Sequence, residues 1–114
     1  MKKTVSILRK VNTVEEVEVN FPVYTHFSDS EPFYSVDVFT RVTSDMQVVE
    51  ITQTRYQAGR METTVKVEQC SAERLGNLVD NDCAYYEPIT AMQFHEVWDS
   101  VLRGIVAQLE VEKE

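Results

Sequence analysis

Glycine is scarce in this sequence: Gly59, Gly76 and Gly104 are the whole set, and they stand far apart. Neither a dinucleotide fingerprint nor a phosphate-cradling loop can be written from them, which removes Rossmann and phosphate-loop NTPase chemistry. Cysteine and histidine are scarcer still. Cys70 and Cys83 with His26 and His95 form a nominal Cys2His2 set, but the short paired spacings that bring four ligands to one zinc ion are missing. Two free thiols and two unrelated histidines are the expectation, with no metal and no cofactor. Long apolar runs are lacking as well. The longest charge-free stretch, Val19 to Ser28, is ten residues and includes Asn20 and His26, against the roughly 18 apolar residues of a membrane helix. The basic opening Lys2-Lys3 leads into an apolar stretch that ends at Arg9, too short for a signal-peptide core. A cytoplasmic chain that does not engage a membrane is expected.

Basic residues are also few. Eleven stand against 19 acidic ones, a net charge of −8. Four of the eleven, Lys2, Lys3, Arg9 and Lys10, fall in the first ten residues, where there is no acid, so the rest of the chain carries a net of −12. Phosphate neutralisation needs a basic surface, so direct nucleic-acid binding is not expected and a protein partner is expected instead.

What remains is an ordinary globular composition, 43% hydrophobic and 26% charged over 114 residues, which fits a single domain over 1–114. Val17, Val19, Phe21 and Val23 alternate with polar residues, the period of a strand with one wet face. Pro22 places that strand at an edge or a bulge. A shorter run, Val5 to Val11, precedes it, with Asn12-Thr13 as the turn. Ser28 to Pro32 reads as a loop. Three further alternating runs follow, at Tyr34–Val42, Val49–Thr54 and Met61–Glu68, separated by Thr43-Ser44-Asp45 and Ala58-Gly59. Ser71 to Val79 predicts a short helix that ends near Gly76.

The last segment carries the strongest pattern. Thr90-Ala91-Met92-Gln93 matches a capping box, flanked by Ile89 and Phe94 as a hydrophobic staple. Phe94, Val97, Trp98, Val101, Leu102, Ile105, Val106 and Leu109 then recur at three- and four-residue steps. The fold class expected is α+β: four to five antiparallel strands within about 4–69, a short helix at about 71–79, and a long amphipathic helix at about 90–110. That helix is expected to pack on one sheet face, with Trp98 at the centre.

No constellation signals catalysis. His95-Glu96-Val97-Trp98-Asp99 has aspartate where the zinc-protease helix has its second histidine. Asp80-Asn81-Asp82 opens like a calcium loop, but Tyr85 and Ala91 occupy the positions that need glycine and glutamate. His95, Glu96, Asp99 and Arg103 read as the wet face of the helix, with Asp99 and Arg103 as an i,i+4 pair. No serine or cysteine is tied to a base by a local signature.

If the valines of the strands share the inner face with Val49 and Ile51, alternation turns Tyr24, Phe39 and Val48 outward among Glu16, Glu18, Asp37 and Glu50. An acidic face with an aromatic centre is an interface pattern. The function expected is a small, non-enzymatic protein-binding module. It would dock a basic or mixed-charge protein, or its own copy, through Glu16, Glu18, Tyr24, Asp37, Phe39 and Glu50. A small-molecule or catalytic pocket between sheet and helix is the alternative, and a self-assembling component pairing through an edge strand is the second alternative. In size, acidity and strand-then-helix order the chain is similar to small acidic proteins carried by phages and mobile elements. That resemblance implies inhibition of a host factor by presented carboxylates.

Overall fold

A computed structural model describes residues 1–9, 13–79 and 86–112, with side chains described as far as Gly104 in the last helix. The architecture is α+β. Strands β1 (Lys2–Arg9) and β2 (Thr13–Asn20) form a separate hairpin. Strands β3 (Val23–Ser30), β4 (Tyr34–Val42), β5 (Gln47–Tyr56) and β6 (Met61–Gln69) follow as an antiparallel meander. Helix α1 (Ala72–Val79) comes next, and then β7 (Glu87–Pro88) returns beside β3 and helix α2 (Ala91–Glu112) ends the order. The five-stranded sheet runs β6-β5-β4-β3-β7.

Two boundaries differ from the sequence reading. Pro22 interrupts the alternation completely, so what reads as one strand is the end of β2 and the start of β3, in two different sheets. An imide nitrogen has no N–H to give to a ladder, and the chain changes sheet where it has none. Ser28, Asp29 and Ser30 are strand rather than loop, paired with Asp37, Val36 and Ser35. Their polarity follows from exposure at the far end of the hairpin. Helix α1 spans Ala72–Val79, as expected for about 71–79, and passes through Gly76, which is buried, rather than ending there. The Ser71 hydroxyl caps its start, accepting from the Arg74 backbone N–H at 3.1 Å.

The capping box of α2 forms as read. The Gln93 side-chain oxygen accepts from the Thr90 N–H at 2.8 Å, and the Gln93 N–H donates to the Thr90 hydroxyl at 3.1 Å. Ile89 and Phe94 share one apolar cluster, as a staple requires. Arg103 donates through Nε to the Asp99 carbonyl oxygen at 3.4 Å, not to its carboxylate.

Register decides which residues share a face. The β4–β5 turn closes with Met46 N–H donating to Thr43 O at 2.9 Å and Thr43 N–H to Gln47 O at 3.1 Å, with Met46 in the left-handed region at φ 63°. It sets Val42 opposite Val48 and Phe39 opposite Ile51. Phe39, Val49 and Ile51 therefore lie on one face together with Tyr24, beneath α2, where Phe94 is fully buried. Val36, Val38, Val42 and Val48 lie on the other face.

That second face is not free. Ile7, Val19 and Phe21 from the β1–β2 hairpin and Leu75 and Leu78 from α1 bury Val42 and Val48 there. The expected single covered face is thus corrected to a sheet covered on both sides. The grouping of Val36 and Val38 with Val49 and Ile51 is corrected too, because the turn pairs residues of equal parity and places them on opposite faces. Phe94, not Trp98, is the centre of the helix contact. Trp98 is half-buried at its margin, and Leu102 is 41% exposed.

Candidate interaction surface

The residues expected to make one acidic face are distributed over three places. Tyr24 and Phe39 pack under α2, Tyr24 with its ring 5.4 Å from that of Phe94. Asp37 lies on the same sheet face, its carboxylate 2.8 Å from His26 Nε2, and the His26 ring stacks on Phe39 at 4.7 Å. Glu50 lies on the opposite face and is bonded to the Arg74 guanidinium, which also reaches Glu68 at 3.0 Å. Glu16 and Glu18 point outward from the hairpin, with Glu18 3.8 Å from Lys2 Nζ. Of these candidate residues, an aromatic and a carboxylate come together at Phe39 and Asp37, through His26, with Phe39 packed in the cluster beneath α2.

Cys70 is buried directly after β6, its N–H donating to Met46 O at 2.7 Å. Burial pushes its thiol above the ordinary range, an effect the nearby Arg74 partly offsets. Cys83 and the Asp80-Asn81-Asp82 segment lie outside the described residues. Among the described residues there is no group of three metal-ligating side chains and no helix long and apolar enough to cross a membrane.

An open surface lies at β6, an edge of the five-stranded sheet. Its nine residues are all exposed. Met61, Val65 and Val67 are 52%, 37% and 58% exposed on the α2 face, where the described side chains of the helix pack on β3, β4 and β5. Between them runs a groove of about 500 Å³, lined by Gln53, Met61, Thr63, Val65, Val101 and Gly104. The opposite face of β6 carries Glu62, Thr64, Lys66 and Glu68.

The backbone of β6 is directional. Tyr56 N–H donates to Arg60 O at 2.8 Å and Cys70 N–H to Met46 O at 2.7 Å, so even-numbered residues of this strand bond towards β5. By alternation the N–H and C=O groups of Met61, Thr63, Val65 and Val67 point away from the sheet. Edge strands are usually short, bulged, charged or interrupted by proline; β6 is neither short nor interrupted by proline, and what guards it is charge, at Glu62, Lys66 and Glu68. In the sequence, its alternation marked a strand. Its place at an edge needed the topology.

No protein-family model, curated protein or solved structure matches the chain.

Proposed function

We propose that this chain is a non-enzymatic protein-binding module that takes up an extended segment of its partner along β6, as an added strand. One observation carries the reading: a nine-residue edge strand whose outward backbone groups, apolar side chains and charges are all solvent-facing. Backbone pairing supplies affinity in such a mode and alternate side chains supply selectivity. The groove between β6 and α2 receives the apolar side chains, and Glu62, Lys66 and Glu68 select mixed charge on the other face. The aromatic-centred acidic face is not retained as the docking surface, because Tyr24 and Phe39 are under α2 and Glu50 is held by Arg74.

Affinity capture tests this with three forms of the full chain. Val65→Pro removes one outward N–H without touching the ladder to β5, and it should lose the captured proteins. Glu16→Lys with Glu18→Lys should keep them. A captured set that ignores Val65→Pro and changes with the carboxylate pair returns the function to the outer face of the hairpin.

A further inference from the structure

The charges along β6 are arranged as an antisymmetric palindrome. About Thr64, Thr63 mirrors Val65, Glu62 mirrors Lys66, Met61 mirrors Val67, and Arg60, one residue before the strand, mirrors Glu68. Every charged residue has its opposite at the mirrored position. Lys66 has no carboxylate partner of its own among the described residues, since Glu50, its cross-strand neighbour, is taken by Arg74.

We propose that the segment β6 takes up is the β6 of a second copy of this chain, paired antiparallel about a two-fold axis through Thr64. This rests on the strand-addition reading and names its partner. In that register the outward backbone groups of Met61 and Thr63 meet those of Val67 and Val65 of the second copy as hydrogen-bonded pairs. The even residues become the non-hydrogen-bonded pairs, in which side chains stand closest, with Cα atoms about 4.5 Å apart. Glu62 then faces Lys66 of the second copy, and Arg60 faces its Glu68, each contact occurring twice by symmetry. An edge lysine ordinarily keeps a second strand away; here the mirrored glutamate receives it.

Neighbouring registers fail on charge. Centring on Val65 sets Glu62 against Glu68 of the second copy, and centring on Thr63 sets Arg60 against its Lys66. Centring on Lys66 or on Glu62 opposes that residue to itself. Like charges directly opposite are destabilising, so only the Thr64 register pairs every charge with its complement. On the α2 face the same register joins Met61, Val65 and Val67 of both copies into one apolar strip between the two helices, which covers the exposed side chains and the open side of the groove.

Sedimentation of the full chain tests this at about 0.15 M salt, where a screening length of about 8 Å suppresses whole-chain repulsion more than contact pairs. The mass should rise with concentration from 13.2 kDa towards twice that value. Thr64→Lys and Thr64→Glu each set like charges across the axis and should weaken association roughly threefold to tenfold. An equal mixture of the two should associate at least as well as wild type, because opposite signs then face each other. Thr64 is exposed and lies opposite Thr52, so neither change disturbs the fold, which the urea midpoint checks. Glu62→Lys should weaken association, and adding Lys66→Glu should restore it.

A wild-type mass fixed at 13.2 kDa up to about 1 mM, or association indifferent to both Thr64 changes, overturns the second copy. If the captured set still depends on Val65→Pro in that case, strand addition to another protein stands. If neither mass nor captured set responds to Val65→Pro, both fall.

Discussion

On one face of the five-stranded sheet, Ile7, Val19, Phe21, Val42, Val48, Cys70, Leu75 and Leu78 close a core drawn from the hairpin, two sheet strands and α1. On the other, Phe94 is the one fully buried residue of α2 among those described, set against Val49 and Ile51. The first face is held by elements distant in sequence, including a bond from Lys3 Nζ to Ser44 O at 2.9 Å that ties the hairpin to the β4–β5 turn. The second is held by a single helix whose described side chains pack on β3, β4 and β5. Cover is deep at the centre of the sheet, while the nine residues of β6 at its edge are all exposed.

The sharpest way to break that contrast is to empty each core in turn. Phe94→Ala should cost about 3–5 kcal/mol and Leu75→Ala about 2–5 kcal/mol in urea unfolding. The two losses should differ in reach. With Phe94 truncated, hydrogen exchange should quicken in α2 while the backbone of β1 and α1 stays protected; with Leu75 truncated, protection should fall throughout. Equal loss of protection everywhere in both variants would falsify the contrast.

Arg74→Ala comes next in size. It removes the cation between Glu50 and Glu68, whose side chains are 23% and 51% exposed. The cost should be about 1 kcal/mol, falling as salt rises, read from the urea midpoint at two ionic strengths. Thr90→Ala should also cost about 1 kcal/mol by removing the cap, with faster exchange confined to the first turn of α2.

The smallest effect is expected at the β4–β5 turn, where the Thr43 hydroxyl donates to Asp45 and holds its carboxyl below the ordinary value of 3.8. A carboxyl depressed in the folded state contributes stability above its unfolded pKa and loses it as pH falls through the folded value. Carbon-detected titration should place Asp45 below 3.8 in wild type and nearer the ordinary value in Thr43→Val. The acid limb of the stability curve should steepen only slightly in wild type, because the group is fully exposed.

Local signals in the sequence were legible where one residue type has one structural use. Thr90 and Gln93 marked the start of α2, Ala58-Gly59 the β5–β6 turn with Gly59 at φ 93°, and alternation the meander. Pairing of faces was not legible, because β4 carries large apolar side chains on both sides, Val38 and Val42 on one and Phe39 on the other. Alternation then fixes a strand's two sets without saying which set meets which. Phe39 and Tyr24 were accordingly expected outside and lie inside. The candidate surface was hidden for a related reason: Arg60 to Glu68 shows its mirrored charges in the sequence, but the mirror acquires meaning only once β6 is known to stand at an edge.

Gly104 offers a lever on the protein that leaves β6 untouched. It sits inside α2 beside the groove, and a Cβ built there meets nothing within 4 Å. Alanine in place of a helical glycine gains about 1 kcal/mol, so the native residue forgoes rigidity at a helical position that lines the groove together with Ser100 and Val101. Gly104→Leu would fill the groove from the helix side, and on the proposed reading it should weaken uptake of a strand by β6 while raising the urea midpoint.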